Sequence, residues 1–275
     1  MKIKSLLLLI SVLTAIFTSC KKNKSYDLNP DINVADDVVL SECAYQYVFF
    51  MIAKAVMDPV VQQSHQAWID SGQITFYPAE NKYLFSFSGK LSADSVRRNG
   101  KFEAVLSGNF FEPETVTNVS FSAYFEDYQQ IEGKDSIVNN GILAGNRMAF
   151  SNYISGRIIK GPDQSTVVYW ESLKHYTSPV IVITPGNELV FYASGTGSGK
   201  SSKGYSFTES VTDSLVFMSG CPWILSGMIS LSIPDIEIPT GTISFIPDDG
   251  CSDKMIYDFE GNLFYYRKTQ EFLKN

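Results

Sequence analysis

Histidine, cysteine and basic residues are scarce in this 275-residue chain, and each scarcity argues against a class of function. Only His65 and His175 could serve a histidine-based nucleophilic mechanism, and neither lies beside a Gly-x-Ser-x-Gly turn. The four cysteines show no Cys-x-x-Cys or Cys/His spacing typical of zinc sites. Acidic residues outnumber basic ones by 29 to 22, and Lys21-Lys22-Asn23-Lys24 is the one short basic run, which argues against nucleic-acid binding. We therefore expect no metal, no cofactor and no nucleic-acid partner.

A phosphate-binding motif is also incomplete. Residues 194–201 read SGTGSGKS, which differs from a P-loop only in the first glycine. A P-loop opens a helix at its lysine, whereas residues 204–207 have the pattern of a strand. The sequence therefore predicts a flexible hairpin loop here and no nucleotide binding.

The N-terminus has the pattern of an export signal. Two lysines within the first four residues precede an apolar run from Leu6 to Phe17, and small residues lead directly to Cys20. This order is typical of bacterial lipoproteins, in which the cysteine becomes the acylated, for example palmitoylated, N-terminus. We predict a signal peptide over residues 1–19, acylation of Cys20 and a polar tether over 20–33. The alternative is a cleaved secretion signal with an incidental cysteine.

Removing residues 1–19 leaves 20 basic and 29 acidic residues, a net charge of −9. We expect a lipid anchor in the outer membrane, with the protein facing the periplasm or the cell surface. An acidic chain gains little further attachment from anionic lipids, so the acyl chains are the predicted membrane contact.

One helix is predicted from Val38 to Met57, with Asp36 and Asp37 as N-cap and Asp58 before a proline as its end. It is apolar almost all round, which is typical of a helix buried between layers. Lys54 interrupts its apolar run, which we judge too short for a membrane span.

The remainder of the chain has the alternation of short strands. Strand candidates cover 73–77, 83–88, 101–107, 116–125, 148–159, 166–170, 180–184, 188–192, 205–209, 215–217, 221–224, 227–233, 242–246, 255–259 and 263–266. The predicted fold is mainly β, with antiparallel β-sandwich-like modules and one N-terminal helix. Residues 85–89 and 243–247 share a pattern, so one module or two duplicated modules, over 34–178 and 179–275, stay open.

Three cysteines follow Cys20. Cys221 and Cys251 lie thirty positions apart at strand edges of the C-terminal meander and are the candidate disulfide. Two neighbouring buried thiols are the alternative, and Cys43 is predicted to be a small core residue.

Tryptophan supplies the candidate sugar-binding groups. Trp68, Trp170 and Trp223 would suit glycan stacking if they were exposed on one face of a sheet. Filling of the core is the alternative for each of them.

Several segments share their pattern with one protein family. They are residues 98–101, 108–110, 131–133, Trp170, 204–207, 221–224 with 226–227, and Gly250-Cys251 with Asp253 and Gly261. Together they resemble uncharacterised Bacteroidetes-type lipoproteins over most of residues 83–268. The resemblance implies an envelope location and β architecture, and no activity. The chain departs from the family in having Gly250-Cys251-Ser252-Asp253 in place of a Gly-Cys-Asp turn, which puts any function attached to that turn in doubt.

Three Asp-Ser-apolar triplets resemble the O-glycosylation acceptor of Bacteroidetes envelope proteins. Their serines are Ser95, Ser136 and Ser214.

The expected function is a non-enzymatic binding or assembly role at the envelope, with a glycan or an envelope protein as partner. Three alternatives stay open: a carbohydrate-binding accessory lipoprotein, a fimbrial-type subunit and a secreted hydrolase. The hydrolase would need His65 or His175 within hydrogen-bond reach of a carboxylate and a nucleophile.

Overall fold

The computed structural model describes residues 29–161, 166–178, 188–234, 236, 240–246 and 250–267. The predicted signal peptide, Cys20, residues 20–28 of the tether and the strand candidate at 180–184 lie outside these residues.

In the described residues, two helices precede fourteen strands. Helix α1 covers Asn29–Met57, and the short helix α2, Pro59–Ser64, follows at once. The strands are β1 Gln66–Ile69, β2 Gly72–Tyr77, β3 Lys82–Leu91, β4 Arg97–Leu106, β5 Val116–Glu126, β6 Gln129–Leu143, β7 Arg147–Lys160, β8 Thr166–Thr177, β9 Val190–Lys200, β10 Ser206–Met218, β11 Ser226–Ser232, β12 Thr240–Phe245, β13 Lys254–Phe259 and β14 Asn262–Arg267. A single 3₁₀ turn, Pro78–Glu80, lies between β2 and β3.

The strands form one antiparallel sheet in which every strand pairs with its neighbour in sequence, from β1 to β14. The predicted mainly-β class with an N-terminal helix is confirmed. The strands that we predicted to form sandwich-like modules all belong to this one sheet. Strands β8 and β9 pair directly, from Thr177 with Tyr192 to Tyr169 with Lys200. The sheet is therefore continuous across the boundary that we predicted between residues 178 and 179.

Helix α1 lies inside the curve of the sheet and contacts strands as distant in sequence as β1, β6, β10 and β13. Phe49 of α1 packs among four aromatic rings of the sheet and its connections. Its ring centroid lies 4.9 to 6.0 Å from those of Phe110, Phe150, Tyr176 and Phe191. The helix carries many β-branched residues, which are weak helix formers. Burial on every side compensates, since each large apolar side chain removed from water contributes about 1.5 to 3 kcal/mol.

Glycines in the strands allow the sheet to approach the helix closely. A Cβ on Gly156 would lie 2.1 Å from the hydroxyl oxygen of Tyr45, which donates to the carbonyl oxygen of Glu132 over 3.0 Å. Gly156 and Gly199 are the register partners of Trp170 on its two sides. Gly156 thus makes room for the Tyr45 ring, and Gly197, where an added Cβ would lie 2.6 Å from the Trp170 ring, makes room for Trp170.

The predicted N-cap at Asp36 and Asp37 is wrong, because both residues lie well inside α1. The buried Asp37 carboxylate accepts hydrogen bonds from Lys160 Nζ at 2.7 Å and from the backbone N–H of Ser202 at 2.6 Å. Asp36 accepts from the hydroxyl of Tyr257 at 2.7 Å. Partners on the sheet replace the capping role, and residues 29–33 of the predicted tether are helical.

Helix α1 is also longer than predicted. By length and composition alone, Ile32–Met57 could cross a membrane, which corrects our expectation that it is too short. However, 83% of its most apolar window is buried inside the protein, as in the core helix of a globular domain.

Three other local predictions need correction. Residues 194–200 of the P-loop-like segment are part of β9, paired with β8 and β10, and not a hairpin loop. Residues 221–224 form a loop between β10 and β11. Strand β6 went unpredicted because its glycines, asparagines and charges hide the alternation of its buried residues.

Candidate functional site

A cavity of about 310 Å³ lies between one side of α1 and four connections of the sheet. Those connections are the turns between β1 and β2, between β3 and β4 and between β5 and β6, and the loop after β10. From the helix, Leu40, Cys43, Tyr47, Phe50 and Lys54 line the cavity. Their spacing of three and four residues places them along one helical face.

A buried charged network forms one wall of the cavity. The guanidinium of Arg98, 1% exposed, donates two hydrogen bonds to Asp94 at 2.7 and 2.8 Å and one to Glu126 at 3.0 Å. Its central carbon lies 3.2 Å from the centre of the Tyr47 ring, and the hydroxyl of Tyr124 donates to Glu126 at 2.8 Å. Burial and excellent geometry make this an Arg–carboxylate pair of the strong, bidentate kind.

The network keeps Arg98 ionised. Burial acts to lower the pKa of Arg98, but the charges of Glu126 and Asp94 raise it above its ordinary value. Burial also raises the pKa of Glu126, an effect that Arg98 opposes. The charged guanidinium of Arg98 therefore stays bonded to Asp94 and Glu126.

The other carboxylates at the cavity are held by the chain. Asp70 accepts from the backbone N–H of Ala93 at 2.7 Å and from the Tyr47 hydroxyl at 3.3 Å. Asp127 accepts from the backbone N–H of Arg97 at 3.0 Å. The Asp70 bonds join the turn between β1 and β2 to the turn between β3 and β4 and to α1, and the Asp127 bond joins the turn between β5 and β6 to the start of β4.

Two polar groups of α1 at the cavity have no hydrogen-bond partner within the described part of the chain. Lys54 is half-buried and makes no ion pair there, and burial lowers the pKa of its ammonium although Asp70 and Asp94 oppose this. Gln46 is 3% exposed and its Oε1 accepts no hydrogen bond. The sequence did not predict either residue as part of a site, because the cavity that they line is closed by turns from distant parts of the chain.

Sulfur and aromatic groups form the rim. Cys221 is joined to Cys251 with an S–S length of 2.02 Å and a Cα separation of 5.5 Å, which is the pair that the sequence predicted. Pro222 and Trp223, which line the cavity, follow Cys221 in the loop after β10. The disulfide links this loop covalently to Cys251. Cys43, a cavity-lining residue, is not part of a disulfide in the described chain.

A second buried network joins α1 to the sheet. Lys174 Nζ lies 2.6 Å from Glu42 and 2.5 Å from Glu209, and all three residues are buried. Burial acts to lower the pKa of Lys174, but the two carboxylates raise it. Burial and then Glu42 raise the pKa of Glu209 to about 7. Among the described residues, Asp135 has no hydrogen-bond partner for either carboxylate oxygen, and burial raises its pKa to about 8.

The three tryptophans do not share a face. Trp170 is 1% exposed and packs against Phe207, so it is not accessible for stacking. Trp68 is 56% exposed, with the ammonium of Lys90 4.6 Å from its ring centre. Trp223 alone lies at the cavity.

The serines of the three Asp-Ser triplets have different settings. Ser95, in a left-handed turn conformation with φ 65°, and Ser214, beside an irregularity of β10, are exposed. Ser136 is half-buried in β6 and donates to Asn118. Glycosylation stays a prediction, with accessible hydroxyls at the first two positions.

The histidines lie apart from the cavity. His65 ends α2 in a left-handed conformation, and His175 lies on the outer face of β8 with Nδ1 3.1 Å from the hydroxyl oxygen of Ser151. In the described residues, neither histidine bonds to a carboxylate, and no group of three potential ligands could hold a metal.

The outer face of β6 to β11 bears two shallow, open depressions of about 800 and 750 Å³. Tyr153, 48% exposed, lines one, and Tyr169, 50% exposed, lines the other. Ser155, Glu171 and Ser198 are common to both.

Comparison with known proteins found no matching family model, no similar curated protein and no similar solved structure. The functional argument therefore depends on the geometry and charge of the chain itself.

Proposed function

We propose that this chain is a lipid-anchored envelope protein of the outer membrane that binds a small molecule, without catalysis, in the cavity beside α1. The observation that carries the binding role is the partly enclosed cavity of about 310 Å³, whose apolar helix face includes two polar groups without partners among the described residues. Ligand sites generally have this form, with volumes of about 300 to 1,000 Å³ and few polar groups on apolar walls. The lipid anchor is supported by the sequence around Cys20.

The cavity is preformed. The disulfide, the Arg98 network and the core packing of α1 fix its walls, so binding needs little ordering of the protein. Its carboxylates are engaged by Arg98, Tyr47 and backbone N–H groups, which supports a binding role over acid–base chemistry.

Cavity binding is tested by filling the space. In the full mature chain with Cys20→Ser, a fragment library is screened through the NMR signal of the Trp223 indole. Cys43→Met extends a side chain into the cavity and is expected to abolish the shifts. Val60→Met, at a 54% exposed position of α2, is the matched control and is expected to retain them. Equal binding by both variants would refute the site.

The anchor is tested by growing cells with labelled palmitate. We expect the label on the wild-type chain and on Cys43→Ser, and none on Cys20→Ser. A label that persists on Cys20→Ser contradicts the predicted acylation.

A second candidate function, carbohydrate binding, is favoured by the outer depressions. Because Tyr153 pairs with Leu173, and Tyr169 is four residues further along β8, the two tyrosines are about 14 Å apart along the strands. Exposed rings among hydroxyls at that distance suit an extended glycan chain. On a glycan array, Tyr153→Ala and Tyr169→Ala should lose binding that Tyr265→Ala, changed at a 76% exposed ring of β14, retains. Binding unaffected by either change would refute this candidate.

A further inference from the structure

The side chains that line the cavity carry more negative than positive charge. The cations are Lys54 and Arg98, and the carboxylates are those of Asp70, Asp94, Glu126 and Asp127. Two positive charges against four negative ones leave a net charge of −2 at the cavity. Like charges that are partly enclosed by protein repel one another more strongly than charges in water, because the local dielectric constant is lower. The cavity therefore favours a ligand that brings a positive charge.

Asp127, in the turn between β5 and β6, is the lining carboxylate with the least compensation. Arg98 donates its hydrogen bonds to two other carboxylates, and Lys54 interacts electrostatically with the carboxylates of the two earlier turns. Asp127 makes no ion pair within the described residues, where its carboxylate accepts from the backbone N–H of Arg97. A carboxylate has about four acceptor sites, so Asp127 can accept further N–H groups from a ligand.

Gln46 of α1 adds a second, independent requirement. It lines the cavity, it is 3% exposed, and its Oε1 atom accepts no hydrogen bond within the described residues. A buried acceptor without a donor costs free energy, which a ligand that donates a hydrogen bond would recover. Asp127 and Gln46 are both acceptors, so a single kind of ligand group, a positively charged N–H donor, satisfies both requirements.

The apolar walls and the size of the cavity define the body of the ligand. Phe50 and Trp223 line the cavity with aromatic rings, whose faces attract organic cations. A volume of about 310 Å³ equals that of about ten water molecules in the liquid, so the ligand is small. No group of three potential ligand side chains in the described residues could hold a metal ion, which favours an organic cation.

We propose that the cavity binds a small organic ammonium ion with an apolar body, with Asp127 compensating its charge and Gln46 accepting a hydrogen bond from its N–H group. This inference rests on the proposed binding function and names its ligand class.

The experiment uses four matched phenethyl compounds on the full mature chain with Cys20→Ser. Phenethylamine carries the ammonium group, phenethyl alcohol is its neutral analogue, phenylacetate is an anionic analogue, and trimethylphenethylammonium keeps the charge without an N–H group. Titrations at pH 7 follow the NMR signal of the Trp223 indole. We expect phenethylamine to bind at least about tenfold more tightly than the alcohol, which is the worth of one charge-assisted hydrogen bond. It should also bind severalfold more tightly than the trimethyl compound, and phenylacetate should bind most weakly.

Variants assign the preference to individual side chains. Asp127→Asn should lower the preference for the amine over the alcohol severalfold, whereas Asp213→Asn, at an exposed position of β10 outside the cavity lining, is the control and should leave it unchanged. Lys54→Met removes a like charge and should strengthen amine binding. Gln46→Met should weaken phenethylamine binding to near that of the trimethyl compound, whose own affinity should not change.

The outcomes separate the two proposals. Fragments that shift the Trp223 signal without a preference for the amine, or with one that Asp127→Asn leaves intact, overturn the ligand class while the binding function stands. Weaker amine binding by Lys54→Met would overturn the ligand class as well, because Lys54 would then attract the fragment. A complete absence of Trp223 shifts with all four compounds overturns the binding function too.

Discussion

Asp135 is expected to destabilise the fold at neutral pH, and replacing it should make the protein more stable. Its carboxyl is 1% exposed, neither oxygen has a hydrogen-bond partner in the described residues, and burial raises its pKa from 3.8 to about 8. At pH 7 the folded chain must therefore hold a proton that the unfolded chain releases. Asp135→Asn supplies a neutral group of the same shape, and nothing then has to be protonated.

The expected increase in the free energy of unfolding follows from the raised pKa of Asp135. Between pH 3.8 and about 8 the folded state binds one more proton at this residue, so stability falls as pH rises. Each pH unit costs about 1.4 kcal/mol, which amounts to about 4 kcal/mol at pH 7. Below pH 3.8 both states are protonated, and the contribution of Asp135 to the pH dependence disappears.

The assay is urea unfolding of wild-type and Asp135→Asn chains, followed by tryptophan fluorescence from pH 4 to 8. The difference in unfolding free energy should grow from near zero at pH 4 to about 4 kcal/mol at pH 7. Asp213→Asn changes an exposed aspartate of the same Asp-Ser pattern and should stay within about 0.5 kcal/mol of wild type. Parallel pH profiles for wild type and Asp135→Asn would show that this carboxyl is hydrated, and the reasoning would fail.

Three further changes test the packing. Lys174→Met leaves two buried carboxylates without their cation and should cost about 3 to 5 kcal/mol in urea unfolding at pH 7, with a smaller loss at pH 5, where carboxyls protonate more readily; equal losses at both would contradict the ion-pair account. Changing Cys221 and Cys251 to Ser opens a 30-residue loop and should lower the unfolding free energy by about 3 to 4 kcal/mol; no loss would mean that the bridge adds nothing. Gly197→Ala would place a Cβ 2.6 Å from the Trp170 ring, so calorimetry should show a cost of about 1 to 3 kcal/mol, and an unchanged Tm would contradict the close packing.

Much of the secondary structure is local enough to be predicted. Alternating buried residues identify β5 nearly to its ends, because this strand has one face in the core. Strand β7 was also predicted nearly to its ends, although residues 148–152 are buried on both faces. Strand β9 was mistaken beyond Tyr192 because its glycine and serine run is typical of a loop. Gly197 in this run is required by Trp170 and Glu209, which come from other strands.

The site was less accessible to prediction than the fold. Asp37 has the local pattern of a helix cap, but its partner Lys160 comes from a strand more than a hundred residues away. Lys54 has the local pattern of a solvated charge, but turns from distant parts of the chain enclose the cavity that it lines. The pairing of Cys221 with Cys251 was within reach, since both flank one short meander. Because the cavity walls come from separate parts of the chain, no single sequence segment has a pattern that predicts the cavity.

The strictly sequential strand order has a consequence for how the chain reaches its native state. Every ladder joins neighbours in sequence, so the sheet can grow by adding one hairpin at a time with little loop-closure entropy at each addition. Helix α1 is the exception, because its contacts extend from β1 to β13. Because those contacts come from both ends of the sheet, we expect the full burial of α1 to be completed only when the last strands have paired.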